Sequence, residues 1–479
     1  MVEARSRWRT AVQPLTRRLS DSKGLSARKL LLVSDALGTP AYPRGIFQYT
    51  AGLLPIVRAA GWCTVLVIEV PKGAEHVRPN AGLAEESARI ADIYHYLSGS
   101  HYRSGLREPE RRRRFLYKRR AGLRWLEERA SALLWSRFRP EKVMTPNQPE
   151  RLAFIPEKLR HLSDVEAFVP FERFYTDSVM RAVYGVVPPR IDARAFDAVI
   201  VDTPLYVAFN ARPDVPIVGV IHDLVPIQDP TIGAGWRRLF MRKLEALIDA
   251  ATHLVFVSET TRDECERQFP GLLDRTPSSI VHPVSRTYLS AIAMTGAPER
   301  SASMSAAYQR PYFFAIVSFE QRKNATVLVQ AWERIGPRAD LVLIGQTDES
   351  FSQQLNERSV KSIRTLGLVS DAVKTALIRG ARAVLVPSHA EGFGIPIVEG
   401  ALLGAPVICS DIPVFREITG GFARFFDPYS ADSLVRAVEA LLNDPSAASA
   451  DAVRLREHCL ERYSPGVVLP VLSQLLRGA

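Results

Sequence analysis

The sequence predicts an α/β protein of two doubly wound parallel-sheet domains facing each other across a cleft, with a helical basic insert in the first. Three observations predict it. Short runs rich in Val, Ile and Leu alternate with helix-spaced segments over residues 28–284, and the alternation restarts over 311–445. A stretch rich in Ser, Ala and Thr without a strong period lies between them at 285–310 and reads as a linker. A chain of 479 residues also exceeds what one hydrophobic core ordinarily organises.

The elements follow in order. After a polar basic tail over 1–27, Lys29–Ser34 reads as a strand, Phe47–Ala60 as a helix and Thr64–Ile68 as a second strand, the opening of a parallel sheet. Residues 71–194 break the rhythm. They are polar and Arg-rich, and Leu116, Leu123, Leu126, Ala130, Leu133 and Phe138 recur at helical spacing. Strands are predicted again at Ala198–Val201, Ile217–Ile221, Leu254–Val257 and Ser279–Val281, with helices over Trp236–Ala250 and Glu259–Gln268. In the second half, strands fall at Tyr312–Val317, Leu341–Ile344, Ala383–Val386 and Pro406–Cys409. Helices fall at Asn324–Arg334, Asp371–Arg379 and Ser430–Leu442. Residues 446–479 are expected to form helices that pack back toward the first domain.

Composition narrows the function classes. Hydrophobic residues at 47% and charged residues at 24% suit a soluble globular protein. No apolar run reaches the roughly 18 residues that a membrane span needs, and the basic start carries no apolar core of a secretory signal. Cys63, Cys265, Cys409 and Cys459 are far apart, without metal-ligand spacing, and fit a reducing cytoplasm. Charge is uneven. Residues 1–150 hold 27 Lys and Arg against 14 Asp and Glu, a net of +13, so the rest of this +11 chain carries −2. A basic face confined to one region points to an acidic surface or partner.

The most informative stretch is Glu391–Glu399, E-G-F-G-I-P-I-V-E, between an apolar strand and a helix-spaced segment. Gly392 and Gly394 let a ligand approach the backbone where the first helical N–H groups point outward, which suits a phosphate. Glu391 and Glu399 would flank the mouth of this pocket. A carboxylate beside a diphosphate is costly unless sugar hydroxyls donate to it, so the pattern reads as a nucleotide-sugar site. Arg322 and Lys323 follow one strand and can bring cations to the same cleft, while His222 and Asp223 end a strand of the first half. No D-x-D pair after a strand suggests a metal, and none is expected, since the two cations can do its work.

These segments together resemble the retaining family-4 glycosyltransferases of the GT-B fold, two Rossmann-like domains around a cleft. The resemblance rests on Ile316–Asn324 (I-V-S-F-E-Q-R-K-N), Leu366–Asp371, Pro387–Gly394 with Glu399, and Gly404–Asp411. Ile221–Pro226 (I-H-D-L-V-P) and Val257–Glu259 match in the first half, and the insert at 71–194 is not accounted for. The resemblance implies that Glu399 binds the ribose hydroxyls and that Glu391 meets donor-sugar hydroxyls near the anomeric carbon. It also implies that Gly392, Phe393, Gly394, Ile395 and Val369 contact the nucleotide sugar. Arg322 and Lys323 would neutralise the leaving diphosphate, and His222 would lie by the donor sugar. Gly45 and Asp223 would sit on the acceptor side, and Arg44 would assist with an acidic acceptor. Many relatives carry a further Arg where this chain has Ser318, which leaves the phosphate clamp to Arg322 and Lys323.

The expected activity is transfer of a sugar, first of all mannose from GDP-mannose, to a glycan or lipid-linked glycan in bacterial surface polysaccharide synthesis. Retention is expected by front-face attack of the acceptor. Residues 107–139, with Arg111–Arg114 and Lys118–Arg120 around Phe115, Tyr117 and Trp125, suit an anionic membrane surface, giving a cytoplasmic protein peripheral to the inner face of the plasma membrane. No nucleic-acid motif accompanies the charge. A GT-B hydrolase or epimerase, and a non-catalytic GT-B binding module, are the rival readings.

Overall fold

The computed structural model describes residues 28–38, 45–70, 143–144, 162–285, 310–318, 320–345 and 361–478. The basic segment at 107–139, Arg44, the tail at 1–27 and most of the linker lie outside the described residues.

The first domain centres on a seven-stranded parallel sheet. Its strands are β1 (Arg28–Val33), β2 (Trp62–Val70), β3 (Ala167–Glu172), β4 (Ala198–Val201), β5 (Ile217–Ile221), β6 (His253–Phe256) and β7 (Ser278–Ile280). They run in the spatial order β3-β2-β1-β4-β5-β6-β7. The continuous apolar runs are explained by position. Leu30 to Val33 and Ala198 to Val201 pair in register at the centre and are buried, because helices cover both faces of a parallel sheet. Those helices include α1 (Gly45–Ala59), α2 (Phe174–Tyr184), α3 (Ala234–Ala250) and α4 (Glu259–Gln268).

The second domain repeats the plan with β8 (Tyr312–Val317), β9 (Asp340–Gly345), β10 (Ile363–Thr365), β11 (Val384–Val386), β12 (Val407–Ser410) and β13 (Arg424–Phe426), ordered β10-β9-β8-β11-β12-β13. Its helices are α5 (Ala325–Ile335), α6 (Asp371–Gly380), α7 (Ile395–Leu402), α8 (Pro413–Thr419), α9 (Ala431–Asn443), α10 (Pro445–Tyr463) and α11 (Pro465–Leu475). In each sheet the strand order reverses beside the first strand, at β1/β4 and at β8/β11. Ligands of doubly wound sheets bind outside the carboxyl ends of the strands at that reversal. The fold therefore marks two loop clusters, the ends of β1, β4 and β5 in one domain and of β8 and β11 in the other.

One difference from the sequence expectation concerns the insert. Within 71–194 the chain returns to the sheet as β3, and Val143–Met144 and Arg190–Asp192 join Ala208–Asn210 in a small three-stranded sheet. The segment is thus not wholly helical. β3 is an edge strand holding Pro170, a residue that sheets accept at an edge but that reads against a strand in the sequence.

The domains are tied directly. An apolar cluster runs from Leu54 and Val57 of α1 through Tyr463, Val468 and Leu472 of the last two helices to Ile397 and Phe415 in the second domain. α11 packs against α1, and α8 packs against α4. At the latter contact Glu417 accepts from the backbone N–H of Glu259 and of Thr260, both at 2.8 Å. A carboxylate from one domain thus satisfies two orphan N–H groups at a helix start of the other, where the helix dipole favours negative charge.

Candidate active site

Parallel strand ends bring the predicted residues together. The 3₁₀ turn Gln321–Lys323 follows β8, and Ser388 to Glu391 follow β11, its neighbour in the sheet. Arg322 Nη1 donates to Glu391 Oε2 at 2.9 Å, Lys323 pairs with Glu391 Oε1, and Ser388 Oγ donates to the same oxygen at 2.8 Å. Arg322 also pairs with Glu320 at 2.7 Å. Burial works to raise the Glu391 pKa, but Lys323, Arg322 and these hydrogen bonds outweigh it and hold the carboxyl at about 2. Glu391 is therefore an ionised carboxylate at neutral pH.

The turn itself is shaped by its glycines. A Cβ on Gly392 would lie 1.7 Å from the carbonyl oxygen of His222, so only glycine lets the two domains meet there. Gly394 has φ of 112° at the N-cap of α7, and a Cβ there would meet the Phe415 ring. The Gly392 carbonyl accepts from Ser258 Oγ at 2.7 Å and Thr261 Oγ1 at 3.2 Å, both at the start of α4. The Phe393 side chain is a core ring, edge-on to Tyr463 at 5.3 Å, so only its backbone faces a ligand. Ile395 opens α7, and Val369 precedes α6 with its side chain partly buried.

Glu399 differs most from expectation. It lies one turn inside α7 and is buried, 1% exposed. Its Oε1 accepts from Lys374 Nζ at 2.9 Å and from Ser285 Oγ at 2.8 Å. Neither partner was predicted. Lys374 left a readable signal, since it shares a helix face with Leu377 and Ile378, the buried apolar residues three and four positions on. Ser285 left none, because it stands at the start of the predicted linker, 114 positions from Glu399 in sequence.

Across the interface, His222 directly follows β5, is buried, and bonds through Nε2 to the backbone oxygen of Asp202 at 2.6 Å. The Tyr49 ring stands edge-on to it at 4.7 Å. Burial lowers its pKa to about 4 despite the bond to Asp202. Asp202, at the end of β4, takes hydrogen bonds from Ser34 and Thr50, yet burial outweighs them and pushes its carboxyl up to about 7. The Oδ1 of Asp202 has no partner among the described residues. Asp223 accepts from Val225 N–H at 3.1 Å, and burial raises its pKa against the field of Arg322 across the cleft. Gly45 begins α1, away from the cluster in sequence order but in the same domain as His222. Ser318 serves its own loop, accepting from Glu320 N–H at 3.4 Å. Among the described residues no three His, Cys, Asp or Glu side chains gather as a metal-ligand group.

The wider fold has known counterparts. Sucrose-phosphate synthase from Thermosynechococcus elongatus superposes with a TM-score of 0.57 at 16% identity, over 94% of this chain and 98% of that one. Anabaena Alr3699/HepE in complex with UDP-glucose does so at 0.56 and 12% identity, over 93% and 98%. The fold is GT-B. Residues 299–459 match the family profile described as Glycosyl transferases group 1. Among curated proteins, the Escherichia coli serotype-specific mannosyltransferase WbdA is 28% identical over 238 residues, 47% of this chain and 29% of that protein. The Escherichia coli O-antigen chain mannosyltransferase B is 29% identical over 241 residues, 48% of this chain and 62% of that one. The matched region thus spans under a third of the first relative and about three-fifths of the second.

Two predictions follow from these geometries. Replacing Lys374 by Met leaves the buried Glu399 without its cation partner, and should cost the second domain about 3–5 kcal/mol in urea unfolding. Lys374→Met combined with Glu399→Gln should cost clearly less, and a single-variant loss under about 1 kcal/mol would mean the pair carries no such strain. For His222, the unfolded ring titrates near 6.5 and the folded one at about 4. The unfolded chain takes up the proton first, so this contribution is full above about 6.5 and is lost as pH falls toward 4. The loss is roughly 3 kcal/mol. His222→Gln keeps a donor for the Asp202 carbonyl and should flatten that part of the stability–pH curve; parallel curves would show that the ring titrates freely.

Proposed function

We propose that the protein is a glycosyltransferase that moves a sugar from a nucleotide-diphosphate sugar to a glycan or lipid-linked glycan, retaining the anomeric configuration. The observation that carries this reading is Glu391 held ionised between Arg322 and Lys323 at the strand-order reversal of the second sheet, one residue from the contact with His222. Cleavage of a sugar–phosphate bond leaves charge on the departing diphosphate. Cations held at that strand end can stabilise it.

In this reading Arg322 and Lys323 turn to the diphosphate, and Glu391 accepts from donor-sugar hydroxyls. The backbone N–H groups at Gly392 to Gly394 and the start of α7 serve the phosphate side. Glu399, oriented by Lys374 and Ser285, binds the ribose hydroxyls, with Val369 and Ile395 near the nucleoside. His222, kept neutral by burial, faces the sugar as a hydrogen-bonding group and not as a second cation. The acceptor hydroxyl attacks the face that the phosphate leaves. The C1–O bond to phosphate breaks, the new glycosidic bond forms, and the hydroxyl proton passes to the departing phosphate oxygen. Orientation and charge stabilisation supply the acceleration, and we propose that Arg322 and Lys323 take the place of a metal.

The names of the relatives favour mannose as the transferred sugar and bacterial O-antigen synthesis as setting, and we propose GDP-mannose as the donor. No helix among the described residues is long and apolar enough to cross a membrane. We place the protein in the cytoplasm, with residues 107–139 as its contact to an anionic membrane.

The test is a panel of nucleotide sugars assayed by thermal protection and by transfer to methyl glycosides. GDP-mannose should raise the melting temperature and give an α-linked product. Lys323→Ala should lower kcat about 10²–10³-fold with donor KM little changed, whereas Glu399→Ala should chiefly raise donor KM. Chelation should leave the rate intact. Neither protection nor transfer with any nucleotide sugar would sink the assignment, an inverted product would sink the retaining mechanism, and loss of activity on chelation would remove the metal-free step.

A further inference from the structure

The Asp427–Tyr429 loop follows β13 at the same end of the sheet as Glu391. Tyr429 has 82% of its surface exposed, yet it is not a loose side chain. Its ring stacks on His389, with centroids 4.7 Å apart and planes inclined by 21°. Its backbone N–H donates to Asp427 Oδ1 at 2.9 Å, and the His389 N–H donates to the Arg322 carbonyl at 2.8 Å. The two loops are joined by the buried amide of Asn324, which donates to Pro387 O at 3.0 Å and Pro428 O at 2.8 Å. One face of the Tyr429 ring is therefore covered by His389, and its high exposure leaves the other open, on a rigid mount tied to the backbone of a cationic site residue.

The location separates this ring from the nucleoside. Lys374 and Glu399 belong to α6 and α7, which pack on one face of the second sheet. Tyr429 leads into α9, which packs with α5 on the other face. An open aromatic face attracts the electropositive C–H face of a pyranose.

We propose that the His389–Tyr429 stack is a saccharide platform that seats a sugar ring of the glycan acceptor on Tyr429. This rests on the glycosyltransferase reading and adds to it the position of the acceptor. The platform orients the acceptor on the Glu391 side of the cleft and takes no part in bond breaking. Tyr429 acts by binding, so its loss affects acceptor affinity and leaves the donor site untouched.

The experiment uses the full chain with methyl α-mannoside, α-mannobiose and the methyl glycosides of glucose, galactose and N-acetylglucosamine, observed by saturation-transfer NMR. At least one should bind the parent protein. Tyr429→Ala should weaken that binding about three- to tenfold, and Tyr429→Trp should preserve it. Thermal protection by the nucleotide sugar should be equal in all three proteins, and acceptor KM should follow saccharide binding wherever transfer is measured. Binding undiminished in Tyr429→Ala, or no saccharide bound by the parent, would overturn the platform. Tyr429-dependent saccharide binding without protection by any nucleotide sugar would leave the platform standing and remove the glycosyltransferase reading instead.

Discussion

The constraint on which the site depends is a backbone contact between the domains, where Gly392 meets the carbonyl of His222 with no room for a side chain. The carbonyl of Gly392 is bound at the same time by Ser258 and Thr261 at the start of α4. Ser258 is the N-cap of that helix and accepts from the Thr261 N–H at 3.1 Å, so one residue both starts a helix and fixes the neighbouring domain. Glu417 occupies the remaining N–H groups of the same turn. Long side chains would give such an interface slack. Main-chain groups and short hydroxyls give little, and the relative position of His222 and Glu391 inherits that rigidity.

Charge is divided between the domains in a way that this contact requires. In the second domain the ions are kept as ions: Glu391 is held low by two cations, and Arg322 is held protonated by Glu391, Glu320 and Asp223 although burial opposes it. In the first domain burial prevails. His222 is pushed to about 4, Asp202 up to about 7, and Asp223 upward. A charged imidazole packed against the Glu391 turn would need a partner carboxylate, and the nearest oxygen that it meets is a backbone carbonyl. Keeping His222 neutral avoids an unpaired buried cation and leaves Arg322 and Lys323 as the site's cationic pair.

Much of this was legible in the sequence, for a physical reason. β1, β4, β5 and β8 are buried on both faces, so their composition is continuous apolar, and their boundaries are sharp because polar or glycine-containing loops follow. The Glu391 turn was legible because glycine and acid spacing is local chemistry. β3 was not, since Pro170 stands within its apolar run and reads against a strand. The partners of Glu399 were legible only in part. Lys374 breaks the apolar stripe of α6, which marks a buried cation, but no local pattern names its partner, and Ser285 reaches Glu399 across 114 positions of sequence. Tyr429 looked like any loop tyrosine, because the stack with His389 exists only once two loops are joined by Asn324.

The two sheets share one strand order, so each offers the same kind of loop-lined edge at its reversal point, and the sequence decides what that edge becomes. At β1/β4 the edge is closed with hydroxyls: Ser34 and Thr50 both donate to Asp202 Oδ2, and Tyr175 donates to Val67 O while accepting from Ser34 N–H. This makes a stiff, weakly charged wall behind His222. At β8/β11 the edge is left charged, with an asparagine in left-handed conformation, φ 52°, at the point where the chain turns from Lys323 into α5. That conformation lets the backbone reverse directly after the cation, so Lys323 stays at the strand end while the Asn324 amide is free to tie the β11 and β13 loops. The same residue thus sets the place of the cation and the mount of the aromatic stack. Its side chain cannot be exchanged for glycine without giving up the second task, even though glycine would satisfy the first.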